Sequence, residues 1–371
     1  MVSVSVDIAG RVPAEPAGPG GPAESADAPR ARKGRVPMRA ELRSSAGAVG
    51  ARILGVGAYR PPRVVPNAEI SPMIDSSDEW IVSRSGIRSR RFAGADEPLG
   101  SMAAGAAGKA MAHAGISPAD LGCVLVATMS NVVQSPSLAT DVAARLGAGG
   151  VAALDVSAAC AGFSYALAMA NDMVRAGSAR YVVVIGAERM TDIIDPRDRG
   201  TAFLFGDGAG AVVVGPSDTV GIGPVVWGSD ASKRDVIGHD SSYLQWRESP
   251  ELPWPVMRMD GPQVFRWASW QMAPVAQKAL EAAGIEASDL AAFIPHQANI
   301  RIIDTMCRVL KLPKSVVVAR DIATTGNTSA ASIPLAMEDL LARQQAPSGG
   351  LALLIGFGAG LVYAAQVVRL P

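Results

Sequence analysis

The chain has 371 residues, enough for a large core and for two domains or two fused halves. Lys+Arg and Asp+Glu are equal at 34 each, which argues against a nucleic-acid surface and against a general attraction to anionic membranes. Hydrophobic residues make up 49%, the composition of a globular protein, and the three cysteines at 123, 160 and 307 form neither a metal spacing nor a disulfide framework, which suits a reducing cytoplasm.

Residues 1–50 are dominated by Ala, Gly, Pro, Ser and Arg. Such a stretch buries too little to offset its ordering entropy and is expected to be disordered. It reads as a docking tail, as a dispensable leader, or as the product of a start assigned ahead of Met38. No continuous apolar run follows a basic start, so a signal peptide is not expected. Order is expected from Ala51-Arg-Ile-Leu-Gly-Val-Gly, a short strand.

From there the chain repeats itself. Lys109-Ala-Met-Ala-His-Ala-Gly115-Ile-Ser-Pro-Ala-Asp120-Leu-Gly-Cys-Val is echoed by Lys278-Ala-Leu-Glu-Ala-Ala-Gly284-Ile-Glu-Ala-Ser-Asp289-Leu-Ala-Ala-Phe. Each reads as a helix closed by Gly, a turn and a buried strand. Ser157-Ala-Ala-Cys160 is echoed by Ser329-Ala-Ala-Ser332, and Gly206-Asp-Gly-Ala-Gly210 by Gly356-Phe-Gly-Ala-Gly360. Three echoes in one order imply a duplicated α/β unit, the first over residues 51–220 and the second over 221–371. Alternating strands and helices predict mostly parallel sheets, and two sheets sharing buried helices give five layers, αβαβα. The apolar run from Leu351 to Val368 is interrupted by Gly356, Gly358 and Gly360. It reads as two buried strands joined by a tight turn, and no membrane span is expected there.

Cys160 stands where a buried-strand pattern gives way to a helix pattern. A thiol at the first turn of a helix meets exposed N–H groups and the positive end of the dipole, which favour a thiolate nucleophile. It reads equally well as a small buried residue. His296 follows the buried strand Ala291–Pro295, at a C-terminal strand end where ligand sites of α/β sheets gather. It also reads as a core or capping imidazole, as does His113 on its helix, while His239 falls in a polar loop. Asn327, in Gly326-Asn-Thr, is by itself a turn before a helix N-cap. A pseudo-twofold relation between the halves would bring the two helix starts face to face, and Cys160, His296 and Asn327 would converge.

With these motifs together the chain resembles the β-ketoacyl-acyl-carrier-protein synthase III family of thiolase-fold condensing enzymes. The resemblance runs from about residue 51 to the C-terminus. It rests on Asp155-Val-Ser-Ala-Ala-Cys160-Ala-Gly-Phe, Phe205-Gly-Asp-Gly-Ala-Gly, Pro295-His-Gln-Ala-Asn299-Ile-Arg301, Gly326-Asn-Thr-Ser-Ala-Ala-Ser and Gly356-Phe-Gly-Ala-Gly. It implies acyl transfer from acyl-CoA to Cys160, then decarboxylative condensation with malonyl-acyl-carrier protein, with His296 and Asn327 as donors to the enolate oxygen. Alternative readings are a starter-unit ketosynthase of a polyketide pathway, an acyltransferase without condensation, and a non-enzymatic binding partner.

The resemblance also implies an oxyanion hole from the backbone N–H groups of Cys160 and Ala359. Trp80, Arg84 and Arg199 match the family's CoA site; without the resemblance they read as a surface Trp and two solvated arginines. Phe205 matches a gating aromatic beside the thiol and reads equally as core. Ser135 stands where members restricted to short straight primers often carry Phe, on a loop that reaches a partner's acyl pocket, so branched or longer primers are expected. Arg266, Arg301 and Arg308 suit the docking of an acidic carrier protein, or are scattered surface charge. Cys307 reads as core. A homodimer is expected, with no metal, no cofactor beyond these substrates and no nucleic-acid or membrane partner.

Overall fold

The structure, a computed structural model, describes residues 42, 44–249 and 251–371. The expectation of disorder over 1–50 falls largely outside them. Its last residues depart from it. The Ser45 hydroxyl donates to the Ala176 carbonyl at 2.5 Å, and a strand begins at Gly50. The architecture below is that of the body Ser45–Pro371.

Ten strands form two five-stranded sheets. The first contains β1 (Gly50–Tyr59), β2 (Cys123–Ala127), β3 (Ala152–Val156), β4 (Val182–Glu188) and β5 (Gly208–Ser217) in the spatial order β3-β2-β4-β5-β1. The second contains β6 (Val226–Ser229), β7 (Ala292–Pro295), β8 (Val317–Val318), β9 (Leu351–Gly358) and β10 (Val362–Arg369) in the order β8-β7-β9-β10-β6. In each sheet the first three strands run parallel and the last two pair antiparallel. The two sheets therefore share one topology. The apolar run at 351–368 is the antiparallel pair β9 and β10.

Strand alternation builds the layers. On β4, Val182 and Val184 join the cluster between the sheets, while Val183 and Ile185 join an outer one. On β9, Leu354 faces inward and Leu353 and Ile355 outward. Both faces of each sheet are thus covered by helices, which is why these strands read as continuous apolar runs. The first half carries α1 (Asp78–Ser85), α2 (Leu99–Ala114), α3 (Leu138–Leu146) and α4 (Gly162–Ala176); the second carries α5 (Gly261–Ala283), α6 (Ile300–Val309) and α7 (Ser332–Ala342). Helices α4 and α7 supply Phe163, Leu167, Ile333 and Met337 to the central layer. Helices α2 and α3 cover one outer face, α5 and α6 the other. Each fully buried Val, Leu, Ile or Phe contributes about 1.5–3 kcal/mol. The five layers are αβαβα.

The first sequence echo holds residue for residue. Gly115 and Gly284 close α2 and α5 with φ of 68° each. Asp120 accepts from the Ser117 N–H at 2.8 Å and Asp289 from the Glu286 N–H at 2.9 Å, so the same capped turn leads into β2 and β7. The other two echoes are out of register. A one-turn helix covers Ala159–Ala161 before α4 and Ser329–Ala331 before α7. Each opens on a left-handed residue, Ala159 at φ 44° and Ser329 at φ 48°. Cys160 therefore corresponds to Ala330, two residues from the Ser332 that the motif suggests. The ladders set the glycine motif likewise. Ile185 and Ile355 sit opposite Val126 and Pro295, so Glu188 at the end of β4 corresponds to Gly358 at the end of β9.

Candidate active site

The two one-turn helices meet where the halves join. Cys160 is 9% exposed and His296 2%. With Asn327 they line one cavity of about 560 Å³ that opens to the surface past Trp80. The convergence expected from sequence is what the fold produces.

His296 follows β7 directly, and its N–H donates to the Ile355 carbonyl of β9 at 2.8 Å. Its Nδ1 lies 2.7 Å from Ser332 Oγ at the start of α7, and that oxygen accepts from the Gln297 N–H at 3.3 Å. A Ser332 hydroxyl that donates to Nδ1 leaves the proton of the neutral ring on Nε2, the tautomer that an enolate donor needs. Burial pushes the imidazole down to about 3, so it is a neutral donor. The ring also stands edge-on to Phe357, centroids 5.2 Å apart. Ser332 was visible in the sequence only as part of an echo; its hydroxyl orients the histidine.

Asn327 is held by its backbone and by one end of its amide. Its N–H donates to the Leu204 carbonyl at 2.8 Å, and its carbonyl accepts from Gly206 at 3.1 Å. Its Oδ1 accepts from the Ser329 N–H at 2.8 Å. Among the described residues Nδ2 has no partner, which leaves the amide's two donors for the cavity. The same two backbone bonds strap Phe205 beside Asn327, and Phe205 lines the cavity. Buried Arg90 fixes this segment from behind, donating to the Phe203 carbonyl at 2.7 Å.

Cys160 departs from the expectation of a depressed thiol. Burial pushes it up to about 12, and the nearby Glu188 carboxyl adds to the rise. The thiol, not the thiolate, is the resting form. Gly358 lies against it: a Cβ at 358 would stand 2.7 Å from the Cys160 nitrogen. Only glycine permits that approach, and Ala359 follows on the cavity wall. In the other half, Glu188 takes the place of Gly358, and its carboxylate accepts from the Ala330 N–H at 3.5 Å. A carboxylate fills the space before one helix start, and a glycine leaves the space before the other open to the cavity.

The mouth is basic although the chain as a whole is neutral. Arg84, Arg199, Arg266 and Arg301 line it against one carboxylate, Asp260. The guanidinium carbons of Arg199 and Arg84 lie 5.0 and 5.8 Å from the Trp80 ring centre, so a base could stack on the indole only by parting them. Arg301 lies 4.8 Å from the Phe265 ring. Arg308 is exposed on α6 and lies outside the cavity lining, about 10 Å along the helix from Arg301. Ser135 is exposed on the segment before α3 and does not reach the cavity of its own chain. His113 accepts from the Val56 N–H at 3.2 Å, His239 ends a short strand rather than lying in a loop, and Cys307 is half-buried in the core.

A thiol, a neutral imidazole and an amide around one cavity between duplicated halves define a thiolase-fold acyl-transferring enzyme. Comparison with known proteins narrows the class. The profile described as 3-oxoacyl-[acyl-carrier-protein (ACP)] synthase III matches residues 154–231, and that of its C-terminal region matches 280–370. The β-ketoacyl-[acyl-carrier-protein] synthase III of Streptomyces glaucescens is 57% identical over 331 residues, 89% of this chain and 99% of the relative. The mycobacterial β-ketoacyl-[acyl-carrier-protein] synthase III of Mycobacterium avium is 50% identical over the same shares of the two chains. Among solved structures, the priming β-ketosynthase of the R1128 polyketide pathway superimposes with a TM-score of 0.87 at 51% identity, covering 89% of this chain and 98% of that one. The Aquifex aeolicus 3-oxoacyl-[acyl-carrier-protein] synthase III gives 0.79 at 38%, covering 86% and 100%. The chain belongs to the β-ketoacyl-acyl-carrier-protein synthase III family.

Proposed function

We propose that this enzyme initiates fatty acid synthesis by condensing an acyl-CoA primer with malonyl-acyl-carrier protein. The observation that carries the reading is the shared cavity of Cys160, His296 and Asn327, reached through a basic mouth. Cys160 attacks the primer thioester and holds the acyl group. The backbone N–H groups of Cys160 and Ala359 receive the oxyanion, in the space that Gly358 leaves free. Malonyl-carrier protein then loses carbon dioxide. The Nε2–H of His296 and Nδ2–H of Asn327 hold the enolate oxygen, and the carbanion attacks the acyl-Cys160 carbonyl. Phe205 keeps water from the thioester.

CoA is placed by Trp80, Arg84 and Arg199, and the acidic carrier protein by Arg266 and Arg301, with Arg308 further along the same helix. No metal and no cofactor beyond the two substrates takes part. The enzyme works in the cytoplasm as a homodimer. Support for the dimer comes from β3, an edge strand with Leu154 38% exposed, which leaves backbone groups for a second copy to pair with. Ser135 then reaches the partner's acyl pocket, and its small side chain leaves room for branched or longer primers. Among the described residues no helix is long and apolar enough to cross a membrane.

The test is to supply acetyl-, isobutyryl- and isovaleryl-CoA with malonyl-carrier protein and to follow β-ketoacyl-carrier product by mass. Product from the branched primers is expected; strict preference for acetyl-CoA refutes the primer assignment, and no product from any primer refutes condensation. The R1128 neighbour favours a second reading, a priming ketosynthase of a polyketide pathway. Turnover faster with a polyketide carrier protein than with a fatty acid carrier protein would select it.

A further inference from the structure

Behind Cys160 lies a buried carboxyl that the reaction as described leaves unused. Glu188, at the end of β4, is fully buried. Its Oε2 accepts from the Ser130 hydroxyl at 2.5 Å, the Ser130 N–H at 3.1 Å and the Thr128 hydroxyl at 3.1 Å. Its Oε1 is less occupied, with Met129 N–H at 3.2 Å and Ala330 N–H at 3.5 Å, and so faces the turn that carries Ser329. Ser329 is itself fully buried and left-handed, a costly conformation for a side chain other than glycine. Its N–H fixes Asn327, and the next N–H of the turn, that of Ala330, reaches Glu188, so the Ser329 hydroxyl is held where the one-turn helix Ser329–Ala331 packs on the one that carries Cys160. That hydroxyl is buried and has no hydrogen-bond partner among the described residues. A rotating O–H with an acidic hydrogen on one side and a carboxylate on the other is the minimal unit of a proton relay.

We propose that Ser329 passes the thiol proton of Cys160 to Glu188 during acylation, and that Glu188 stores it until the thiolate is expelled again. The proposal rests on the acyl-enzyme chemistry given above. As the Cys160 sulfur bonds to the thioester carbon, its proton moves to Ser329 Oγ and the Ser329 proton moves to Oε1. The C–S bond to CoA breaks, and the CoA thiolate takes a proton from solvent at the mouth. After decarboxylation and attack by the carbanion, the tetrahedral intermediate expels the Cys160 thiolate. Glu188 returns the stored proton through Ser329, and the thiol and carboxylate are restored. One solvent proton is consumed per turnover, as release of carbon dioxide and CoA thiol requires.

The surroundings suit a group that changes charge twice per cycle. Burial pushes the Glu188 carboxyl up to about 7, within reach of both forms near neutral pH. Among the described residues the titratable group facing it is the Cys160 thiol. Thr128, Met129 and Ser130 from beyond β2, and Ser329 and Ala330 from before α7, are uncharged. Arg189, next in the chain, turns away to Asp192 and to the Gly94 and Glu97 carbonyls.

The test is single-turnover acylation by intact mass between pH 5.5 and 9, with carbon dioxide release then measured on pre-acylated, desalted enzyme. The wild-type acylation rate is expected to rise with pH through about 7 and level off. Ser329→Ala and Glu188→Gln should each acylate about 10²-fold more slowly at pH 8 and lose that rise. Ser329→Cys, which restores a transferable hydrogen without a β-branch at a left-handed residue, should recover part of the rate. First-turnover carbon dioxide release should stay within about threefold in all variants, because the Ser329 N–H to Asn327 survives. Acylation at the wild-type rate and profile in Ser329→Ala or Glu188→Gln overturns the relay. So does an equal fall in acylation and carbon dioxide release, the mark of a merely structural role. If wild-type enzyme forms no acyl adduct at all, the condensing reading itself fails.

Discussion

Replacing His296 by Ala separates the two halves of the reaction. The ring is 2% exposed, so its Nε2–H acts where water is excluded. A single donor of that kind is worth about 3 kcal/mol in the transition state, or about 10²-fold in rate. The substitution also orphans the Ser332 hydroxyl, which now bonds Nδ1 at 2.7 Å. Leaving that hydroxyl buried without a partner costs about 1–3 kcal/mol and lowers Tm by about 1–4 °C, so the protein stays folded. Acylation of Cys160 needs neither the imidazole nor an enolate, since the neutral ring is too weak a base to take the thiol proton. The expected result is acylation within about threefold of wild type and carbon dioxide release slowed about 10²-fold, measured on the same pre-acylated protein. Asn327→Ala should behave alike, and the double variant should lose less than the product of the two effects if both donors serve one oxygen. Release of carbon dioxide at the wild-type rate by either single variant refutes the enolate assignment.

Three further outcomes are expected. Gly358→Ala places a methyl 2.7 Å from the Cys160 nitrogen and 2.9 Å from its Cβ, so acylation and condensation should fall together by about 10²-fold with a stability loss of about 1–3 kcal/mol; activity near wild type would show that the oxyanion space lies elsewhere. Because burial holds the thiol near 12, alkylation of Cys160 by iodoacetamide in Glu188→Gln, corrected with Cys160→Ser, should rise about tenfold per pH unit from 7 to 10; a plateau near pH 7 in that variant would mean a preformed thiolate. Glu188 is raised from 4.5 to about 7 on folding, so native protein binds more protons than unfolded protein between those values and stability falls as pH rises through them, by about 3 kcal/mol in all; in urea melts Glu188→Gln should gain on wild type from pH 5 to 8, and a pH-independent difference would contradict the shift.

Much of the layer structure could be read from the chain because its signals are local. The Gly115 and Gly284 caps, the acids at Asp120 and Asp289 and the all-apolar strands behind them recur within a few residues of one another. The convergence of Cys160, His296 and Asn327 on one cavity was legible for a related reason: each sits at the junction of a strand or turn with a helix, where a topology argument brings them together. What stayed hidden depends on distances between segments. The motif Ser-Ala-Ala occurs at 157 and at 329, yet the turn is placed by which residue goes left-handed, and that is Ala159 in one half and Ser329 in the other. Composition does not encode the choice, so Ser332 looked like the partner of Cys160 while Ala330 holds that place. The helix start suggested an acidic thiol, but burial pushes the thiol up, and burial is set by segments from both halves. Arg308 shares a helical face with Arg301 in sequence, but it lies about two turns further along α6 and outside the cavity lining. Glu188 left one signal, a lone acid ending the apolar run Val182–Ala187.

Peptide mapping of the acylated protein tests the reaction at its root. After incubation with acyl-CoA, the acyl mass is expected on the peptide bearing Cys160, and addition of malonyl-carrier protein should clear it with release of carbon dioxide and appearance of the β-ketoacyl product. An adduct on Cys123 or Cys307, or one on Cys160 that water removes but malonyl-carrier protein does not, would contradict carbon–carbon bond formation at this cavity.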